Sequence, residues 1–345
     1  MTDHAQNIRQ GEELNWDSLG SYLSNKLDNI EDLPLEVLQF HGGHANLTYL
    51  LKYGDQEFVL RRPPFGKIAP GAHDMKREYR VLSKLNTHYP RAPKAFHFCD
   101  DVDIIGAPFV VMERREGVVV RKEIPIEFKS IPDIEQSLTK ALIDAISDLH
   151  NVDYVDANLQ DLGKSEGYLD RQVAGWTKRW NLSKTEEAPE MEKVLKWLGE
   201  RIPTPQKISV VHNDFKLDNC QFKVDDPNKV SSVFDWDMCT IGDPLLDFGT
   251  SLSYWPDKAF AGMQIPIILD GDFPTKQDLK QMYADRTGLN LDEMSWYEAM
   301  GFVRLVVIAQ QLYARFVQGA TKDKRMVQLG MFAKLLAKVA WKTVQ

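Results

Sequence analysis

The sequence predicts a two-lobed α+β fold: a small antiparallel-sheet lobe with one main helix at residues 1–115, and a larger, mainly helical lobe at residues 116–345. Two observations carry that expectation. From Val37 to Glu113 short apolar runs alternate with turn residues, the pattern of strands, whereas beyond Gly117 the apolar spacing lengthens to that of amphipathic helices. Strands grouped ahead of helices, instead of alternating with them, point to α+β and away from a parallel α/β sheet. A chain of 345 residues has room for two lobes sharing a cleft.

Taken in order, Val37-Leu38-Gln39-Phe40 leads into Gly42-Gly43, and Tyr49-Leu50-Leu51-Lys52-Tyr53 leads into Gly54-Asp55. Phe58-Val59-Leu60-Arg61 then stops at Pro63-Pro64, so the three runs read as an antiparallel meander. Met75, Glu78, Leu82 and Leu85 recur at the spacing of one helix face, with Asp74 placed to cap the start. Two more strands are expected at residues 94–99 and 109–112, and long helices at 134–150, 191–201 and 296–318.

Composition excludes several classes. The net charge is −8 and the basic residues are scattered, so the footprint of a nucleic-acid binder is missing. Cys99, Cys220 and Cys239 show no CxxC spacing, which argues against a zinc site or a disulfide framework. The first residues lack the basic start and apolar core of a signal peptide, and no run approaches the ~18 apolar residues that span a bilayer. A cytoplasmic enzyme without membrane or nucleic-acid partner is the expectation.

The most informative stretch runs from Ile208 to Asp237. A short apolar strand, Ser209-Val210-Val211, delivers the polar loop His212-Asn213-Asp214-Phe215-Lys216-Leu217-Asp218-Asn219, and a second strand from Val230 runs into Phe234-Asp235. The strands before Asp214 and Asp235 are expected to be neighbours facing one cleft. Phosphoryl transfer needs a carboxylate near the acceptor hydroxyl and oxygen ligands for a magnesium ion that bridges phosphates. Asp214, Asn219 and Asp235 supply that set, and the spacing H-x-D-x-K-x-x-N matches a kinase catalytic loop. The plainer alternative is that His212 and Asp214 only satisfy backbone groups in a tight loop.

Together with Val233-Phe234-Asp235-Trp236-Asp237 and Gly242-Asp243-Pro244-Leu245-Leu246-Asp247, this loop resembles the aminoglycoside phosphotransferase and choline kinase superfamily, whose fold is protein-kinase-like. The resemblance implies ATP and magnesium as cofactors, Asp214 as catalytic base, Asn219 and Asp235 as metal ligands, and Asp247 as the tie between helical lobe and loop. His212 takes a structural role, and Lys216 stands where protein kinases contact the transferred phosphate. Asn213 departs from the family's usual Gly, but Asn tolerates a left-handed backbone, so the loop geometry can survive.

On the nucleotide side, the turn from Phe40 to Thr48 contains Gly42, Gly43 and Asn46 where a kinase fold covers the phosphates with backbone N–H groups. A Gly-Gly hairpin turn with no such role is the bland reading. The resemblance places a phosphate-holding cation at the end of the third strand, where Arg61-Arg62 replaces the usual lysine and either arginine could point inward. Glu78 lies on an apolar helix stripe, where a carboxylate needs a partner, and Arg61 is the candidate. A solvated helix edge is the alternative. Met112 and Glu113 close the strand that the resemblance assigns to adenine binding, and a plain core strand would look the same.

Gly167 to Trp180, with Leu60 to Pro64 and residues 76–82, resembles a narrower subgroup, the kinase-like domains fused to some acyl-CoA dehydrogenases. The implied acceptor is a small-molecule hydroxyl on a CoA thioester, a hydroxyacyl-CoA. Arg171, Trp176 and Arg179 are the candidate acceptor contacts, although Leu169, Val173, Trp176 and Trp180 also fall at the spacing of a core stripe. Choline, homoserine, sugars and aminoglycosides stay open as acceptors. An inactive kinase fold that only binds nucleotide is the rival class. Gly163 to Gly167 fits G-x-S-x-G, but the polar residues before it do not read as the strand a hydrolase elbow requires.

Overall fold

The computed structural model describes residues 5–30, 33–42, 46–66, 73–255, 271–321, 323 and 325–345. These form two compact units, each discontinuous in sequence: residues 1–145, 152–159 and 217–239 in the first, and 146–151, 160–216 and 240–345 in the second.

The first unit is organised by a five-stranded antiparallel sheet in the order β1-β2-β3-β5-β4. β1 (Leu35–Phe40), β2 (Leu47–Tyr53) and β3 (Gln56–Arg62) are the expected meander, and β4 (Ala95–Cys99) and β5 (Phe109–Glu113) complete it. Alternation fixes which side of each strand is dry. Tyr49, Leu51, Leu60, Phe109 and Val111 join Leu19 and Leu23 of α1 (Trp16–Leu23) in one apolar cluster. The next residue along β3 therefore turns the other way, and Arg61 meets α2 (Met75–Leu85). α2 begins where the sequence indicates, because the Asp74 carboxylate accepts the Arg77 N–H at 2.9 Å. A small sheet of β6 (Val118–Val119), β8 (Cys220–Phe222) and β9 (Val230–Val233) also belongs to this unit.

In the second unit, β7 (Ser209–Val211) pairs with β10 (Thr240–Gly242), and the other described elements are helices. The strand leading to Asp214 thus ladders with β10, while the strand leading to Asp235 ladders with β8. The expectation that these two strands are neighbours is corrected: they lie in different sheets, because each finds its antiparallel partner elsewhere.

α7 (Pro244–Ser253) starts on Asp243, whose carboxylate caps the Leu245 N–H at 2.8 Å, with Pro244 in the first helical position. Every residue of α7 is buried, as is most of α9 (Met294–Val317), and a helix apolar all round belongs in a core. α9 is long and apolar enough to cross a membrane by composition, but 61% of its most apolar window is buried within the protein. The two helices cross with backbones in contact: a Cβ on Gly249 would lie 2.6 Å from the Tyr297 carbonyl carbon, and one on Gly301 would lie 2.6 Å from the Gly249 oxygen. α5 (Tyr168–Ser183), α6 (Pro189–Glu200) and α10 (Arg325–Lys342) surround α9, which accounts for the burial of Trp176 and Trp180.

Candidate active site

In the first unit, three charged groups converge. Arg61 is 9% exposed, donates from Nη1 to the carboxylate of Glu78, and from Nη2 to Asp235 Oδ1 at 2.8 Å. Arg62 turns away, donating to the Ile105 carbonyl at 2.9 Å and lying over the Phe65 ring. Arg61 is therefore the inward arginine, and its partner is the buried glutamate that the helix stripe marks out. Burial pushes Glu78 up to about 7, against the pull of Arg61; burial also opposes the Arg61 charge, but the two carboxylates outweigh it and keep the guanidinium above its ordinary value.

Asp235 has a left-handed backbone (φ 66°, ψ 60°) at the head of a short 3-10 turn over Trp236–Met238. The Phe234 N–H donates to the Asn219 carbonyl at 2.9 Å, and Arg77 donates to the Cys239 carbonyl at 3.0 Å, so both edges of this turn are pinned. Asn219 and Asp235 offer oxygen donors, the type magnesium takes. Among the described residues no group of three or more His, Cys, Asp or Glu could form a closed metal site.

Gly42 follows β1, Gly43 lies outside the described residues, and Asn46 Oδ1 meets His73 Nδ1 at 2.8 Å. Met112 is buried in β5. The Glu113 N–H donates to the Lys94 carbonyl at 2.8 Å, and its carboxylate accepts the Lys94 N–H at 3.0 Å and pairs with Arg115. The Glu113 N–H is thus committed to the sheet.

In the second unit, the loop after β7 is held by backbone and side-chain bonds. The buried Asp247 carboxylate accepts the His212 N–H at 2.6 Å and the Asn213 N–H at 2.7 Å. On its far side lies His150, whose Nε2 is 3.1 Å from Asp247 Oδ2 and whose Nδ1 is 2.7 Å from the Tyr283 hydroxyl. Burial opposes the Asp247 charge, but the His150 hydrogen bond, the attraction of both histidines and the His212 N–H hold it below the ordinary range.

Asn213 takes φ 69°, the left-handed conformation inferred from its residue type. The Asp214 N–H donates to His212 Nδ1 at 3.3 Å, and the Asp214 carboxylate pairs with Lys216 Nζ at 2.9 Å. Lys216 also lies 4.9 Å from the centre of the Tyr254 ring, and the Tyr254 hydroxyl bonds the same carboxylate. Burial first, then the Asp214 charge, push that phenol well above its usual value.

The candidate acceptor residues are engaged within the protein. Arg171 donates to the carbonyls of Lys164 and Glu166, Trp176 is 5% exposed, and Arg179 stacks 4.5 Å from its ring. Ser165 follows a 3-10 turn, not a strand, which removes the hydrolase-elbow geometry. Several site residues escaped sequence reasoning. Arg304, Tyr168 and His150 sit on helices, and Tyr254 just past the end of α7, where nothing but their tertiary neighbours marks them. Gly242 did carry a signal: a Cβ there would lie 2.5 Å from the Tyr168 ring, so the glycine lets that tyrosine cross β10.

A loop-borne carboxylate beside a lysine, and an Arg–Glu pair on the third strand and main helix of an antiparallel sheet, define a kinase-like protein. The chain belongs to the phosphotransferase enzyme family, whose model matches residues 36–280. It is 32% identical over 336 residues to mouse acyl-CoA dehydrogenase family member 10, covering 94% of this chain but 31% of that protein. It superposes with a TM-score of 0.80 and 29% identity on a structure from Ralstonia eutropha JMP134, described provisionally as an aminoglycoside phosphotransferase, covering 96% and 98% of the two chains. It shares the fold, at TM-score 0.60 and 13% identity over 94% and 98% of the chains, with aminoglycoside phosphotransferase APH(4)-Ia solved with AMP-PNP and hygromycin B.

Proposed function

We propose that the protein transfers the γ-phosphoryl group of ATP to a hydroxyl of a small molecule, with Asp214 as base. The observation that carries this reading is the setting of Asp214. Its loop is fixed by paired backbone bonds to a buried carboxylate, and its own carboxylate is held by Lys216 and Tyr254. A group so constrained is suited to accept one proton from a defined direction.

In the proposed reaction the acceptor hydroxyl gives its proton to the Asp214 carboxylate as its oxygen bonds the γ-phosphorus and ADP leaves. Lys216 would exchange its bond to Asp214 for one to the transferred phosphoryl group. Arg61, kept in place by Glu78, would contact the other phosphates. Asn219 and Asp235 would hold magnesium, which would offset the charge of the phosphates. These two residues fit the ion as an open pair of oxygen donors, since magnesium usually completes its shell with water and substrate phosphate. Asn219 follows Asp214 by five residues, so their Cα atoms lie at most about 17 Å apart by chain connectivity.

The acceptor class we favour is the hydroxyl of a hydroxyacyl-CoA. The support is the similarity to acyl-CoA dehydrogenase family member 10, which spans 94% of this chain and 31% of that protein, together with the Gly167–Trp180 stretch. The test is magnesium-dependent ADP formation from ATP across hydroxyacyl-CoAs, amino alcohols and aminoglycosides, with Asp214→Asn alongside. We expect a hydroxyacyl-CoA to stimulate turnover and Asp214→Asn to lower it by about a thousandfold or more at unchanged melting temperature. Wild-type turnover by the variant would remove Asp214 as base.

A further inference from the structure

Arg304 is 3% exposed in the middle of α9, and a buried guanidinium is costly unless its N–H groups are used. Among the described residues they go to neutral oxygens and not to a carboxylate. Nη2 donates to the main-chain carbonyl of Asn213 at 2.8 Å, and Nη1 donates to Asn213 Oδ1 at 3.3 Å and to the Thr250 hydroxyl at 3.0 Å. Trp176 lends its ring face at 5.4 Å, the kind of contact that eases a buried cation.

Asn213 is thus gripped at three points by three helices. α7 takes its N–H through Asp247, α9 takes its carbonyl and side-chain oxygen through Arg304, and α5 adds the Tyr168 hydroxyl to Oδ1 at 3.2 Å. This is the residue with φ 69°, and it immediately precedes Asp214. A non-glycine residue in that region persists only when its surroundings impose it. A fork donating to main chain and side chain of one residue does so, and a lysine, with its single point of charge, cannot reproduce it.

We propose that Arg304 is a positioning residue for phosphoryl transfer: it locks the left-handed Asn213 and thereby sets where the Asp214 carboxylate points. This rests on the assignment of Asp214 above. It also explains why asparagine serves at position 213, since glycine would offer no side-chain oxygen to Arg304 and Tyr168.

The test compares Arg304→Lys, Asn213→Gly and the wild type as full chains. Magnesium-dependent ATP turnover is measured with water as acceptor, together with hydrogen exchange of a peptide covering residues 211–216. Arg304→Lys is expected to lower kcat by about ten- to a hundredfold with KM for ATP unchanged, the scale of an ångström-level misplacement. Exchange of that peptide should rise while the remaining peptides exchange as before. Asn213→Gly keeps the carbonyl bond and should show a smaller change in both. Guanidinium added at millimolar concentration should restore part of the kcat of Arg304→Ala, which a general loss of packing would not allow. Unchanged exchange of residues 211–216 in Arg304→Lys, or an unchanged kcat, overturns the proposal. Asp214→Asn is run in parallel: if it turns over ATP like the wild type, the base assignment fails, while loop exchange still decides whether Arg304 holds the loop.

Discussion

Replacing Asp247 by asparagine tests the element that holds the Asp214 loop within the second unit. Three hydrogen bonds end on this carboxylate, at 2.6 Å and 2.7 Å from the loop amides and at 3.1 Å from His150. Hydrogen bonds to a charged group contribute about 1.5–3 kcal/mol each, and a buried donor left without a partner costs about 1–3 kcal/mol. Asparagine keeps one oxygen, enough for one amide. Its NH2 then faces the other amide, stranding that N–H, and the surviving bond loses its charge assistance. The net loss is about 2–5 kcal/mol, or a melting temperature lower by roughly 5–15 °C for a cooperative unit of this size.

The pH dependence has a definite sign. Because the folded carboxylate titrates below the unfolded value of 3.8, its contribution is complete above about pH 4 and is lost as pH falls through the folded pKa. The gap between variant and wild type should be full at pH 7 and narrow under acid conditions. Urea unfolding followed by fluorescence at both pH values measures it, and hydrogen exchange of residues 211–216 reports on the loop. A variant within about 0.5 kcal/mol of the wild type at pH 7, a change typical of neutral surface substitutions, would refute the claim that Asp247 carries the loop.

Two further outcomes follow from packing and burial. Gly301→Ala drives a methyl group into the Gly249 backbone, which cannot rotate away as a side chain could, so unfolding should become easier by about 1–3 kcal/mol; an unaffected urea midpoint would mean that the α7–α9 crossing relaxes freely. Asp243 behaves oppositely to Asp247, because burial lifts it to about 6 despite the hydrogen bonds from Tyr297 and the Leu245 N–H. Its folded state therefore binds the proton more tightly than the unfolded one. The wild type should lose up to about 3 kcal/mol relative to Asp243→Asn as pH rises from 3.8 to about 6, and a pH-independent difference between the two would contradict this.

Much of the fold was legible before any coordinates. The meander at β1–β3, the start of α2 on Asp74, and a helix near residues 296–318 all follow from apolar period and turn chemistry, which are local. Nothing in the local pattern marks α1, and local pattern does not decide which strands the ones leading to Asp214 and Asp235 pair with. Strands of three and four residues carry too little pattern to choose a ladder partner, and β7 and β9 pair with β10 and β8. The acceptor residues Arg171, Trp176 and Arg179 show the complementary difficulty. A basic aromatic stretch has one appearance in sequence whatever its side chains do, and only the structure shows Arg171 bonded to carbonyls, Trp176 buried and Arg179 stacked on its ring.

The sequence by itself determined the chemistry: which residues carry charge, that Glu78 sits on an apolar face and needs a cation, and that Asn213 can bear a left-handed turn. Those properties belong to single residues and their near neighbours along the chain. Only the tertiary structure decided that Arg61 and not Arg62 meets Glu78, that His150 stands behind Asp247 from 97 positions away, and that Arg304 reaches Asn213 across 91. Such pairings leave no mark in local periodicity, because burial makes each isolated polar group costly without specifying its partner, and packing alone supplies one.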